Sequence, residues 1–105
     1  MTQFTLYRNE DKSSSDTYPY FIDIQNALLS DLNSRLVIPL SKPSSLNNTS
    51  ATNLCPVLEI ENDRFVLLTH QMIAVPASAL KSKVISVTNY QEEITDAIEF
   101  LISGI

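Results

Sequence analysis

The sequence predicts a mainly β protein with one C-terminal α-helix, an α+β arrangement in which the strands pair antiparallel. One observation is a series of short apolar runs, separated by polar turns, that fills most of the chain. The other is a change near the end of the chain, where apolar residues recur every three or four positions. The 105 residues match the size of one domain, so we expect a single domain over residues 1–105.

Two alternating runs predict the first strands. Residues 3–8 and residues 18–25 both alternate between apolar and polar side chains, which is the pattern of a half-buried strand. Pro19 lies near the start of the second run, where a missing N–H is tolerated. Asp23 lies between two isoleucines, and we expect it to face solvent because charge is disfavoured on a buried face.

The middle of the chain predicts a buried strand and a hairpin. The continuous apolar run over residues 35–40 suits a strand buried on both faces, with Pro39 placing its end at an edge or a bulge. Residues 54–60 and residues 64–69 are apolar runs on either side of the polar turn 61–63. This arrangement predicts a β-hairpin.

Polar stretches predict the loops. Residues 9–17 and residues 41–53 are rich in Ser, Thr, Asn and charged side chains, which is typical of surface loops. The second is long for so small a domain, which is typical of a functional or disordered segment. We expect a further short strand over residues 70–76, whereas residues 77–87 have no clear pattern.

The last segment predicts a helix over residues 90–102. Asn89 offers an N-cap, Glu92 completes a capping box three residues later, and Gly104 allows a left-handed stop. We expect an apolar row to anchor this helix along its whole length. The row comprises Ile94, Ala97, Ile98, Leu101 and Ile102.

Charge and glycine content exclude several classes of function. The 7 Lys+Arg against 12 Asp+Glu give a net charge of −5, which argues against direct nucleic-acid binding because such binding depends on phosphate neutralisation. Gly104 is the single glycine, so glycine-rich phosphate-binding loops are excluded. No apolar run reaches the ~20 residues of a membrane span and no signal peptide is recognisable, so we expect a cytoplasmic protein without membrane contact.

The residues that could carry catalysis are few. Cys55 and His70 are the only cysteine and the only histidine, and a nucleophile pair is conceivable. The commoner situation is a small buried cysteine and an ordinary strand histidine. No serine lies in a nucleophile-elbow motif, and no ligand spacing indicates a metal site. The sequence therefore predicts a protein that is not an enzyme, with no catalytic residue, metal or cofactor.

The end of the chain offers candidate partner-facing residues. Glu99 lies near the negative end of the helix dipole without a basic neighbour four residues away, which marks it as a candidate contact. The chain then ends on Ser103, Gly104 and Ile105. Two interpretations stay open, since Ile105 either packs down beside the apolar row or projects outward.

Short motifs along the whole chain carry a family resemblance, with a length change only in the loop 9–17. They are Gln-Phe at 3–4, Phe-Ile-Asp-Ile-Gln at 21–25, Leu-Val-Ile-Pro-Leu at 36–40, Cys-Pro-Val at 55–57, Val-Pro at 75–76 and Gly-Ile at 104–105. In this combination the sequence resembles the CcdB toxins of bacterial toxin–antitoxin modules, which poison DNA gyrase.

The resemblance implies a fold and a set of partners. The fold would be an SH3-like barrel with an antiparallel sheet, a smaller second sheet and a C-terminal helix, assembled as a homodimer with the two helices near its axis. The dimer would bind the dimerisation domain in the A subunit of DNA gyrase and trap the gyrase–DNA cleavage complex. The antitoxin CcdA would wrap the toxin with a disordered segment, release it from gyrase and join it in repressing the operon.

The resemblance also implies site residues. The gyrase contacts carried over by position are Asn26, Leu28, Leu29, Glu99, Ser103, Gly104 and Ile105. Ser103 stands where the best-known members have a tryptophan, which is a stronger interface anchor. For the antitoxin, Arg8, Lys12 and Lys42 are basic points beside the two loops that could meet an acidic disordered peptide.

Two alternatives remain beside a gyrase poison. A MazF-like endoribonuclease shares the barrel architecture, but it would need a basic RNA groove and an acid–base pair. A relative that binds CcdA without poisoning gyrase is the other alternative, and Ser103 keeps it open.

Overall fold

A computed structural model describes residues 2–43 and 53–104 of the chain. Within these ranges the chain forms seven strands, several short 3-10 turns and one α-helix. The strands are β1 (Thr5–Arg8), β2 (Tyr20–Asp23), β3 (Ser34–Ser41), β4 (Val57–Ile60), β5 (Asp63–Leu67), β6 (Ile73–Pro76) and β7 (Lys83–Ser86), and the helix is α1 (Gln91–Ser103).

The strands form an antiparallel sheet curled into a half-barrel. Its order is β4-β5-β3-β2-β1-β7, and β6 pairs with β3 beside this path. The predicted fold class is therefore confirmed, and the architecture is consistent with an SH3-like fold. The smaller sheet is not separate within the described residues, because β3 is long enough to pair with β6 along its first half and with β5 at Leu40 and Ser41.

The main core lies on the concave side of the sheet, where α1 closes it. Leu6, Ile22 and Ile38 lie on adjacent strands and pack with Phe65 and with Ile94 of the helix. Burying an apolar side chain of this size stabilises the fold by about 1.5–3 kcal/mol relative to leaving it exposed. The alternation predicted for the first two strands marks the face that meets the helix. The expectation of a half-buried strand is wrong for β1, because Thr5 and Tyr7 on its other face are buried as well.

The opposite face of the central strands is buried as well. Tyr7, Val37 and Leu80 form a second apolar cluster, against which Phe21 and Val75 pack. Leu80 comes from the stretch that had no clear sequence pattern, and it covers the sheet just before β7. The prediction that the third strand is buried on both faces is confirmed, because Val37 and Ile38 are both fully buried.

The β4–β5 hairpin is confirmed, with a tighter turn than predicted. Ile60 pairs with Asp63, so only Glu61 and Asn62 form the turn. Both have positive φ, at 51° and 71°, as a type I′ turn requires.

Pro39 is predicted at an edge or a bulge, and the expectation of an edge is wrong. It lies in an interior strand, opposite Phe21 of β2 on one side. On its other side, β6 pairing ends at Val37 and β5 pairing begins at Leu40. The missing N–H of proline is tolerated because it falls in this gap between two partner strands.

The helix is confirmed and begins one residue later than predicted, but the predicted N-cap is wrong. Asn89 is part of a 3-10 turn at Thr88–Tyr90, and the N-cap position belongs to Tyr90 without a side-chain cap. The capping box therefore does not form. Gly104 does end the helix in the left-handed conformation, with φ 74°, and its N–H donates to the carbonyl of Phe100 at 2.8 Å. No helix among the described residues combines the length and apolar character needed to cross a bilayer.

Candidate interaction surfaces

The last turn of α1 departs from the predicted apolar row. Ile94 and Ala97 are buried, whereas Leu101 and Ile102 are 39% and 80% exposed. The expectation that the row anchors the helix to Ile102 is therefore wrong. Ile94 and Ile98 are the helix residues that pack in the main core, and within the described residues neither Leu101 nor Ile102 joins it.

Three candidate contact residues lie on this exposed end. Glu99, Ser103 and Gly104 all face solvent, and the Ser103 hydroxyl donates to the backbone carbonyl of Glu99 at 2.7 Å. The hydroxyl is thus satisfied within the helix and does not reach outward as a donor. Ile105 lies outside the described residues, so its two interpretations stay open.

The other three candidates lie together between β2 and β3. Asn26 opens a short 3-10 turn at Ala27–Leu29: its side-chain oxygen accepts the N–H of Leu28 at 2.8 Å, and its backbone carbonyl accepts that of Leu29 at 2.9 Å. Leu28 is 92% exposed, and Leu29 and Leu32 are about half exposed. Adjacent exposed leucines of this kind are unusual on a free surface and typically mark a contact site.

A buried ion pair underlies this turn, which corrects the expectation for Asp23. The Asp23 carboxylate is fully buried and accepts the Arg35 guanidinium at 2.8 and 2.9 Å. Asp23 avoids solvent because Arg35, at the start of the next strand, supplies the opposite charge inside the protein. Burial chiefly, and then the Asp23 charge, raises the pKa of the neighbouring Tyr7 hydroxyl, whereas Arg35 lowers it.

The exposed groups belong to two patches that lie on different elements. One patch is the 26–29 turn between β2 and β3, and the other is the last turn of α1.

The three basic residues assigned to the antitoxin lie near one end of the sheet. Arg8 lies opposite Tyr20, with its guanidinium 5.6 Å from that ring, and Tyr20 lies opposite Leu40. Lys42 follows the end of β3, two residues after Leu40, and Lys12 is exposed in the loop after β1. Arg8 and Lys42 thus flank the same strand end.

That loop is tied together by Asp11. Its carboxylate accepts the Ser13 N–H and the hydroxyls of Ser13 and Ser14, and these hydrogen bonds lower the pKa of Asp11. Beside the loop lies an open cavity of about 520 Å³, with Phe21 and Val75 among its apolar lining and Lys81 among its polar lining.

The cysteine and the histidine come together, but without an activated thiol. Cys55 Sγ lies 3.6 Å from His70 Nδ1. His70 is exposed in the 3-10 turn Thr69–Gln71, so the expectation that it lies in a strand is wrong. Burial raises the pKa of the Cys55 thiol, an effect only partly offset by the Thr69 N–H, so the reactive thiolate is disfavoured at neutral pH. Across residues 2–43 and 53–104, no group of three or more His, Cys, Asp or Glu side chains could hold a metal ion.

Sequence reasoning missed three features of these surfaces. Arg35 carried a signal, since it is a basic residue near the start of the strand that follows Asp23. Leu101 and Ile102 carried none, because their helical spacing is the same whether the last turn is covered or not.

One comparison with known proteins bears on these surfaces. The family model described as CcdB protein matches residues 3–104 of the 105-residue chain. The match takes in nearly all of the described structure, including β1 through β7, the 26–29 turn and the exposed end of α1. The chain therefore belongs to the CcdB family, and this membership supports the role of a toxin in a toxin–antitoxin module.

Proposed function

We propose that this protein binds the A subunit of DNA gyrase and traps the enzyme in its cleaved complex with DNA. It acts by contact alone and contributes no catalytic group. The antitoxin CcdA neutralises it and joins it in repressing the operon.

One observation carries the proposal: large apolar side chains are exposed, between 39% and 92%, at both places that the family resemblance assigns to gyrase. Leu28 and Leu29 project from the 26–29 turn, and Leu101 and Ile102 from the end of α1. Apolar groups that lie exposed on a monomer contribute binding free energy when a partner covers them. Asn26, Glu99 and Ser103 are exposed polar residues on the same two elements and would contribute a polar rim to the contact.

The direct test incubates the purified protein with gyrase and supercoiled plasmid, then denatures gyrase and measures linear DNA. We expect linear DNA that depends on protein concentration. A parallel incubation with RNA tests the ribonuclease alternative, for which Arg35 cannot serve because it is buried in an ion pair. Absence of linear DNA at saturating protein would contradict gyrase poisoning.

Matched substitutions locate the contact. Leu29 and Ile85 are 50% and 46% exposed, but Ile85 lies on β7, outside both patches. We expect Leu29→Ala to raise the concentration needed for trapping by about tenfold, and Ile85→Ala to leave it unchanged. Equal effects of both substitutions would show that the assay reports stability and not contact.

Removal of residues 103–105 tests the end of the helix. We expect the truncated protein to lose gyrase trapping and to keep its fold and antitoxin binding, because the core contacts of α1 end by Ile98. A melting temperature lowered by several degrees together with loss of all binding would instead favour a tail that packs onto the core.

Ser103→Trp is the complementary gain-of-function test. Tryptophan can present a large apolar surface at an interface, whereas the Ser103 hydroxyl bonds back to its own helix. We expect stronger trapping of an enterobacterial gyrase by this variant. Unchanged trapping would argue against Ser103 as part of the contact.

The active form in this proposal is a homodimer. A dimer would double each of the two exposed patches and let one assembly present both to gyrase. Apolar surface left uncovered on one chain also favours association. Sedimentation at micromolar concentration should show the dimer, and a stable monomer there would contradict it.

The antitoxin surface in this proposal combines basic residues with the apolar cavity beside the loop 9–17. An acidic disordered peptide could lay apolar side chains against Phe21 and Val75 and meet the charges of Arg8, Lys12 and Lys42. We expect the charge reversals Arg8→Glu and Lys42→Glu to weaken CcdA binding, with circular dichroism showing that both variants stay folded. Unaltered CcdA affinity in both reversals would remove these residues from the surface.

A further inference from the structure

We propose that Gln25 is a positioning residue for the gyrase contact, which it serves by fastening the 26–29 turn to the sheet. This inference rests on the proposed function. Gln25 itself is buried and has too little exposed surface to be an important contact for a partner. Its effect would be transmitted through Leu28 and Leu29.

The carboxamide of Gln25 joins two elements. Its oxygen accepts the backbone N–H of Leu36 in β3 at 3.0 Å, and its nitrogen donates to the carbonyl of Leu29 at 2.8 Å. Because the Leu36 N–H can only donate and the Leu29 carbonyl can only accept, these partners fix the orientation of the amide. One side chain thus links the far end of the turn to the next strand.

The backbone of Gln25 is anchored from below by the ion pair. Its N–H donates to the Asp23 carboxylate at 3.0 Å, and its carbonyl lies 3.4 Å from an Arg35 guanidinium nitrogen. Asp23 and Arg35 are both fully buried, so neither can move without exposing or unpairing a charge. The carboxamide therefore projects from a rigid base.

The turn has little else to hold it. The other hydrogen bonds described for residues 26–29 are local: the N–H groups of Leu28 and Leu29 donate to oxygens of Asn26, and the N–H of Leu32 donates to the carbonyl of Leu29. Leu28, almost wholly in solvent, contributes hardly any packing to keep its own backbone in place. A loose turn would have to be ordered when gyrase binds, and that ordering would lower affinity. Gln25 removes this cost by ordering the turn beforehand.

The test compares Gln25→Met with Gln71→Met. Methionine keeps the length of the glutamine side chain without its hydrogen bonds, and Gln71 also makes a tertiary hydrogen bond, to Tyr18 at 3.0 Å, away from the turn. We expect Gln25→Met to weaken binding to the dimerisation domain of gyrase by about five- to tenfold and Gln71→Met to leave it unchanged. Affinities are measured where circular dichroism shows every variant folded.

A double-mutant cycle separates positioning from a merely structural role. If Gln25 acts through the leucines, Gln25→Met should cost nothing further in a Leu28→Ala/Leu29→Ala background. Amide hydrogen exchange at Leu28 and Leu29 should accelerate in Gln25→Met while exchange in β1 stays unchanged. An equal loss of affinity in both backgrounds, or unchanged exchange in the turn, would overturn the inference.

If the wild-type protein does not bind gyrase at all, the proposed function itself fails, and that control reveals it before any variant is compared.

Discussion

The buried ion pair between Asp23 and Arg35 gives the sharpest test of this fold. We expect Asp23→Ala to remove the carboxylate that neutralises a guanidinium whose side chain is 1% exposed. One Arg35 nitrogen, Nη1, already lacks a hydrogen-bond partner within the described residues. Loss of the Asp23 carboxylate would leave further buried donors of Arg35 without a partner, and each unsatisfied donor lowers stability. Breaking a buried pair from one side costs about 3–5 kcal/mol.

This magnitude is a large part of the stability of a small domain. With total unfolding free energies of about 5–15 kcal/mol, a loss of about 4 kcal/mol lowers the melting temperature by roughly 20 °C. Urea unfolding followed by circular dichroism at one fixed protein concentration measures the loss. The single variant Arg35→Met should be destabilised to a similar degree, because it leaves the Asp23 carboxylate buried and unpaired.

The double variant decides whether the charges act as a pair. Replacing both residues, as Asp23→Leu with Arg35→Met, removes the two buried charges together, and we expect it to be at least about 2 kcal/mol more stable than either single variant. The reasoning would be refuted if Asp23→Ala cost less than about 1 kcal/mol, or if the two single losses simply added in the double variant.

Three smaller predictions follow from local geometry. Gly104→Ala should lower the free energy of unfolding by about 1 kcal/mol, because φ is 74° at this position and alanine disfavours that conformation. Steric contact adds nothing, since no atom lies within 4 Å of the added Cβ. An unchanged melting temperature would contradict the left-handed cap. Glu61→Asn should stabilise the hairpin by about 0.5 kcal/mol because asparagine tolerates the positive φ of a type I′ turn, whereas a loss of stability would argue against that turn. The Cys55 thiol has a folded-state pKa above its ordinary value, so its reaction with a disulfide reagent should become fast only at higher pH than in the denatured chain. The stability that this pKa shift contributes should be complete below the unfolded pKa and disappear as pH rises through the folded one; faster reaction in the folded than in the denatured protein at neutral pH would contradict it.

Local sequence determined the elements whose physical cause is local. Alternating runs predicted β1 and β2, and the polar turn between two apolar runs predicted the β4–β5 hairpin. Helical spacing predicted α1, and Gly104 predicted its end, because a left-handed residue is favourable only for glycine at such a position. Each of these signals lies within a few residues of the element that it predicts.

The tertiary structure decided whatever depends on a partner distant in sequence. Asp23 is buried because Arg35 lies across the β2–β3 pair, and Pro39 is tolerated inside the sheet because two partner strands leave a gap beside it. The sequence alone shows the residue but not its neighbour. The strand pairing therefore had to be known before one could tell that Arg35 neutralises Asp23 and that Pro39 needs no N–H at its position in the sheet.

For the candidate surfaces too, the sequence predicted some features and the tertiary structure decided others. The family resemblance supplied the positions Asn26, Leu28 and Glu99. Spacing assigned Leu101 and Ile102 to the core, whereas the structure leaves them 39% and 80% exposed. An amphipathic pattern states which side chains share a helix face and not how far the supporting surface extends beneath it. The length of the core under α1, which ends near Ile98, is a property of the assembled sheet and turns, and it alone leaves apolar side chains uncovered at the end of the helix.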